Sequence, residues 1–278
     1  MTTPPIPGMP VPREAAGGLL LSRYQNAQQS IATRAALAVV NLWSRYIHPA
    51  HFADTWANLN PLIQGVVATH YQASAANASQ FYGHARVTAG YPSIHVPGVE
   101  LRPEELIRVV NSMGAGSFFH FLKETEAPQA SDMARDALRG ASTRLVLNGG
   151  RETIVRAAGA DGAAAGWERV IEAGACGFCS MLAGRGGVYS AATAGFRAHD
   201  HCHCVGRPVF RGQKSVNAEL SRAWGEVTNG TRGAAARTAW DQYWSSHGEH
   251  RGTETATGPG AGSASVAAQS VGRSALPD

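Results

Sequence analysis

All four cysteines of the chain lie between positions 176 and 204, and three of its eleven histidines crowd the end of the same window. They read Cys176-x-x-Cys179, then nineteen residues, then His199-x-His201-Cys202-His203-Cys204. A C-x-x-C turn brings two thiolates to about one metal diameter, and Gly177 permits the tight turn between them. A second cluster about twenty residues on is the usual distance for closing a structural zinc site. Tetrahedral zinc takes four ligands, and this window offers seven. Alternate residues of an extended segment share a face, so Cys202 and Cys204 point together and can complete a four-cysteine set. His199 competes with them, because His199-x-x-Cys202-x-Cys204 also spans a workable loop. His201 and His203 fall on the other face of such a strand and are the weakest candidates. The expectation is a structural Zn2+ on Cys176 and Cys179, with His199, Cys202 and Cys204 competing for the last two places. A redox dithiol would open a helix after a strand of a parallel βαβ unit, and that setting is not evident here. A packed cysteine cluster without metal is the remaining alternative.

The composition agrees with a reducing compartment, in which paired cysteines serve metals rather than disulfides. The proline-rich start has no basic region, and the apolar patch at 19–21 is too brief for a signal peptide core. No run of about eighteen apolar residues occurs, so no membrane-spanning helix is expected. With 278 residues, 44% of them hydrophobic, the chain can build a sizeable core in one large or two small domains. The formal net charge of +4 is compatible with work near nucleic acid but far below that of a DNA-coating protein. The basic residues are almost all arginine, and no arginine- and lysine-rich recognition helix accompanies the cysteines, which argues against sequence-specific DNA readout. Arg185, Arg197 and Arg207 are the residues placed for non-specific phosphate contact.

The elements that must position this window are mainly helical. Residues 1–17 carry five prolines and read as a flexible arm. Apolar residues at helical spacing predict one long helix over about 18–47 and a second over about 53–82, with Pro61 as a point of kinking or restart. Segment 93–101 reads as extended. Pro103 with Glu104 and Glu105 opens a helix to about residue 112, and a short helix follows within 116–125. Ser131 and Asp132 look like the cap of a helix over 133–147 that stops at Gly149–Gly150, with a last helix over 152–158. Residues 166–171, 187–189 and 204–210 are β-compatible; 216–227 and 233–245 are helical; 252–278 is too poor in large apolar residues to fold. The fold class is therefore α+β, mainly α. The division is an arm (1–17), a helical domain (18–160), a small β-rich Cys/His lobe (161–215), C-terminal helices (216–251) and a disordered tail (252–278).

The run GWERVIEAGACGFCSMLAGRGGVY, followed by GFRAHDHCHCVGRPVF, resembles the motif region of MuF-like phage head morphogenesis proteins. That family's pattern is a C-x-x-C turn, a hairpin, then H-x-x-C-x-C leading into a strand with a proline. Cys176, Cys179, His199, Cys202, Cys204 and Pro208 stand at those positions. The likeness covers roughly residues 145–215, and the wording around GFC-x-M-L-A is most like the actinobacteriophage versions. It implies a minor capsid protein inside the phage head, made in the host cytoplasm and associated with the portal protein and with the major capsid or scaffold protein. Some similar proteins carry the label capsid maturation protease, which makes proteolysis the alternative. Neither H-E-x-x-H nor G-x-S-x-G occurs. Cys202 between His201 and His203 is a superficial thiol–histidine candidate, and Asp200 the acid for an open zinc site. A closed zinc site would silence such a thiolate.

Overall fold

The computed structural model describes residues 13–172, 175–185, 195–196 and 198–251. Three long helices form the body: α1 (Arg13–Tyr46), α2 (Phe52–Thr88) and α5 (Ala127–Ala160). At 1.5 Å per residue each is about 50 Å long. Helix α1 starts immediately after the last of the N-terminal prolines, so residues 13–17 of the expected arm are helical; residues 1–12 lie outside the described residues. Helix α2 continues through Pro61 without restarting. Proline leaves the carbonyl four residues back without its helical donor. Ala57 and Pro61 are both exposed, so water can satisfy that carbonyl.

Helix α3 (Pro103–Asn111) and α4 (Ser117–Phe121) are joined by a π turn over Ser112–Gly116. They close one end of the bundle. There Phe52 stacks on Phe118 at 3.7 Å between centroids, beside Trp43 and Trp56. The other end is closed by the antiparallel pair β1 (Ala164–Val170) and β2 (Val205–Phe210). Their register runs from Val170 opposite Val205 to Ala164 opposite Phe210, with an irregularity between Ala164 and Gly166. Trp167, Val205 and Phe210 share a core with Tyr24, Phe81, Tyr82 and Ile154, so the sheet packs directly on the long helices. The window itself sits on α6 (Gly177–Gly184), backed by α7 (Ala218–Thr228) and α8 (Gly233–Arg251). Among the described residues the chain is thus mainly α with a two-stranded sheet, as its patterning implies. The expected extended run at 187–189 and the tail at 252–278 lie outside the described residues.

Two expectations are overturned. Gly149 and Gly150 do not end a helix; α5 runs through them as a single 34-residue element. A Cβ on Gly149 would lie 2.5 Å from the Tyr71 carbonyl oxygen, and one on Gly150 would lie 2.7 Å from Gln28 Nε2. At this pair α5 passes close against α2 and α1, and there is no room for side chains there. A buried polar network lies there. Ser74 Oγ donates to Gln28 Oε1 at 2.7 Å and accepts from the Gly150 amide at 3.0 Å, while Gln28 Nε2 donates to the Ser74 carbonyl at 2.9 Å. Likewise Ser131 is not a cap, because α5 begins earlier, at Ala127; its hydroxyl accepts from Trp43 Nε1 at 3.1 Å. Stop and cap signals were read locally, but their residues serve contacts between helices.

Helix α8 braces the cysteine-bearing helix. Trp240 is fully buried, its indole N–H donating to Ser180 Oγ at 3.0 Å, and Trp244 Nε1 donates to the Ala175 carbonyl at 2.9 Å. Truncating a buried tryptophan removes about 3–5 kcal/mol. Trp240→Ala is expected to raise amide exchange in α6 about 100-fold or more while leaving α1 and α2 protected, read by hydrogen–deuterium exchange.

Candidate metal centre

Cys176 is the N-cap of α6, and its Sγ accepts the Cys179 amide N–H at 3.4 Å. The first turn of the helix then lifts Cys179 into the interior, where it meets the C-x-C segment that leads into β2. Cys179 Sγ lies 3.4 Å from Cys202 Sγ. Cys179, Cys202 and Cys204 form one compact group with all three sulfurs within 4.8 Å of one another, and all three residues are buried. A second group joins Cys176, Cys179 and His199, with Cys176 and His199 exposed. His199 Nε2 stands 2.9 Å from Cys176 Sγ and 3.6 Å from Cys179 Sγ. Its Nδ1 faces the Asp200 carbonyl oxygen at 2.6 Å, which places a proton on Nδ1 and turns Nε2 toward the sulfurs.

All five expected ligands therefore converge, and the cluster can hold a metal ion. The donor set suits zinc: soft thiolates and an imidazole, with Cys179 Sγ at 3.4 Å from Cys202 Sγ and 3.6 Å from His199 Nε2, near the spacing of ligands on a tetrahedral ion. The distribution differs from the sequence reading in one respect. Spacing made Cys176 and Cys179 the fixed pair. In three dimensions the buried triad is Cys179, Cys202 and Cys204, and the two exposed groups, Cys176 and His199, meet at its rim.

His201 and His203 belong to neither group. His201 adopts a left-handed backbone (φ 62°), its amide donates to the Gly140 carbonyl at 3.4 Å, and its ring lies over Gly140 of α5. His203 Nδ1 is 3.3 Å from Glu172 Oε1. Asp200 does not reach into the cluster; its Oδ1 is held by Arg144 Nε at 2.6 Å. Cys202 is not a thiol flanked by histidines either, since its sulfur is buried against Cys179 and the Arg151 guanidinium. Although the C-x-x-C pair does open a helix after a strand, β2 returns antiparallel to β1, and among the described residues no parallel βαβ unit carries the pair.

The residues that sequence reasoning missed are Arg151, Arg169 and Phe196. Arg151, 1% exposed in the C-terminal half of α5, donates from Nε to the Cys204 carbonyl at 2.9 Å and from Nη2 to the Cys202 carbonyl at 2.7 Å. The same Nη2 lies 3.5 Å from Cys202 Sγ. Arg169 of β1 is 2% exposed, with Nη1 3.8 Å from Cys179 Sγ. Both guanidiniums sit against the Phe196 ring, at 5.0 and 3.9 Å from its centroid. Nothing local marks an arginine in a helix as a partner for cysteines some fifty positions away. Of the arginines expected to meet phosphate, Arg207 is engaged with Glu168 at 2.5 Å, Arg185 lies over Trp224, and Arg197 lies outside the described residues.

The electrostatics divide the cysteines: Cys176 and Cys202 are held toward the thiolate, Cys179 and Cys204 toward the thiol. Hydrogen bonding from Cys179, and then from His199, holds the Cys176 thiol down at about 4 against burial. The Cys176 partner in turn raises the His199 imidazole to about 9. Hydrogen bonds from Cys179 and Cys204, with Arg151 nearby, push the Cys202 thiol well below its ordinary value, while its neighbours and burial push Cys179 well above. Without metal, Cys176 is thus a thiolate beside an imidazolium. Metal-free protein is expected to be alkylated at Cys176 by iodoacetamide at pH 5–6, where an ordinary thiol is inert. The reaction should fade as pH falls through about 4, and saturating Zn2+ should block it; mass spectrometry of the modified peptide reads each result.

Among the described residues no helix is long and apolar enough to cross a membrane. No curated protein and no solved structure matches the chain. The family model described as VG15 protein matches residues 20–229, a span that takes in most of α1, every element from α2 to α7 and all five ligand candidates. The match treats helical body and cysteine centre as one unit, and the chain belongs to the VG15 protein family, a phage gene family.

Proposed function

We propose that this chain is a MuF-like minor capsid protein that acts in head morphogenesis from inside the procapsid, next to the portal, and that its cysteine centre is a closed structural Zn2+ site. The observation that carries this reading is the joint one: a phage family match across a helical body whose end is tied to a C-x-x-C…H-x-x-C-x-C cluster in which three of the four cysteines are buried. The long helices supply rigid contact surface for portal and capsid or scaffold protein. The metal ties α6 and β2 together in a glycine-rich region with little apolar surface of its own. A phage carrying a nonsense mutation in this gene tests the role. Supporting results are the protein in wild-type procapsids at low copy, and aberrant or unfilled heads without it. Normal, infectious heads without it, together with its absence from wild-type particles, would exclude the reading.

A second reading, a capsid maturation protease, has one observation in its favour: the Cys176 Sγ to His199 Nε2 distance of 2.9 Å, which is that of a thiolate–imidazolium pair. The same two atoms face the metal cluster, and a zinc-bound thiolate is no nucleophile. Co-expression with the capsid protein separates the readings. Capsid shortening that Cys176→Ala abolishes supports the protease; unchanged capsid length supports the assembly role.

A further inference from the structure

The buried triad of Cys179, Cys202 and Cys204 leaves one place for a tetrahedral ion to fill, and Cys176 and His199 both meet the triad at Cys179. We infer that Cys176 takes this place, that His199 stays outside the coordination shell as a hydrogen-bond partner of Cys176, and that Arg151 and Arg169 are the residues that decide between them. This rests on the metal centre proposed above.

The first argument is charge. Arg151 is buried and its hydrogen bonds go to carbonyls, to Asn148 Oδ1 and to the Cys202 sulfur, with no carboxylate among these partners. A buried guanidinium needs a counter-charge within its own low-dielectric surroundings. A divalent ion with three thiolates carries a single negative charge; a fourth thiolate makes it two. With Arg151 on Cys202 and Arg169 on Cys179, two positive groups lie against the centre. In that field an anionic sulfur is a better fourth ligand than a neutral imidazole.

The second argument is geometry. Cys176 caps α6, where its sulfur accepts a helix amide and faces the positive end of the helix, an arrangement that favours the thiolate. His199 Nε2 stands 2.9 Å from that sulfur, nearer than two ligands of one tetrahedral ion sit, so the two atoms fit a hydrogen-bonded pair rather than joint coordination. Arg151 has a further, positioning role. Its fork grips the carbonyls of Cys202 and Cys204 together, so α5 sets the spacing of the C-x-C ligands before any ion arrives.

The test is Co2+ substitution of the full chain, because ligand-field bands distinguish a four-sulfur from a three-sulfur, one-nitrogen complex. Cys176 and His199 are both exposed, so replacing either leaves the core intact. His199→Ala is expected to keep one equivalent of Co2+ and the wild-type bands, whereas Cys176→Ala shifts the bands to higher energy. Arg151→Met should weaken Co2+ binding 10- to 100-fold, as loss of an outer partner does, and Arg151→Lys should not restore it because an ammonium cannot span both carbonyls. Bands that shift in His199→Ala and persist in Cys176→Ala would overturn the assignment. Co2+ affinity unchanged in both Arg151 variants would overturn the role of the arginine. Wild-type protein that takes up neither Zn2+ nor Co2+ would instead remove the metal centre itself, a result distinct from either.

Discussion

Cys179→Ser is expected to strip the protein of its metal and to loosen the cysteine-bearing end while leaving the long helices folded. Cys179 is the sulfur common to both ligand groups, 3.4 Å from Cys202 Sγ and 3.6 Å from His199 Nε2, so no workable four-ligand set omits it. Structural zinc sites bind with about 10–16 kcal/mol, and one thiolate of four accounts for roughly 3 kcal/mol or more, about 100-fold or greater in affinity. Serine is nearly isosteric but a poor zinc ligand at neutral pH, so the loss reports coordination rather than volume. Metal analysis after gel filtration should find well under half an equivalent. Amide exchange should rise in α6 and β2, where the ion ties two otherwise weakly joined segments, and should stay slow in α1 and α2, whose core of Trp43, Tyr71 and Ile63 does not involve the metal. Chelator treatment of the wild type should reproduce this pattern, and added Zn2+ should reverse it.

Gly149→Ala is expected to destabilise the body, although alanine is the better helix former. In a solvent-exposed helix the change would gain about 1 kcal/mol. Here the new methyl carbon would lie 2.5 Å from the Tyr71 carbonyl oxygen and 3.1 Å from its ring, and the obstacle is backbone, which cannot swing aside. The two helices would have to separate along a contact that also holds the Gln28–Ser74–Gly150 network. Overpacking costs about 1–3 kcal/mol, and weakened buried hydrogen bonds add to it. The net loss should be about 1–2 kcal/mol for alanine and about 3 kcal/mol or more for Gly149→Val, read as a fall in melting temperature of several degrees for the first and a larger one for the second. An unchanged or raised melting temperature for Gly149→Ala would mean that α2 and α5 do not approach so closely.

These two results bear on how much of the molecule its sequence spells out. The long helices were legible because apolar residues recur at helical spacing: Tyr24, Ile31 and Trp43, or Trp56, Leu59, Ile63 and Val67, are buried as that spacing implies, whereas Leu37 and Leu62 of the same pattern are exposed. The two strands were legible from their β-compatible runs. What misled was punctuation. Gly149–Gly150 reads as a helix stop and Ser131 as a cap because those residues usually act on their own backbone. Here both face another helix, the glycines to admit it and the serine to receive the Trp43 indole.

The sequence by itself determined that the chain is mainly helical and that its cysteines and His199 form one cluster, since both follow from spacing within a few turns of chain. Only the tertiary structure decided how the cluster is built. Cys179 is its centre, Cys176 and His199 share its rim, and Arg151 and Arg169 are brought against it from α5 and β1. The physical reason is distance along the chain. Arg151 reaches Cys202 across fifty-one positions, and Gly150 reaches Ser74 across seventy-six. Local periodicity carries no record of such approaches, which exist only once three long helices and a sheet have packed around one another.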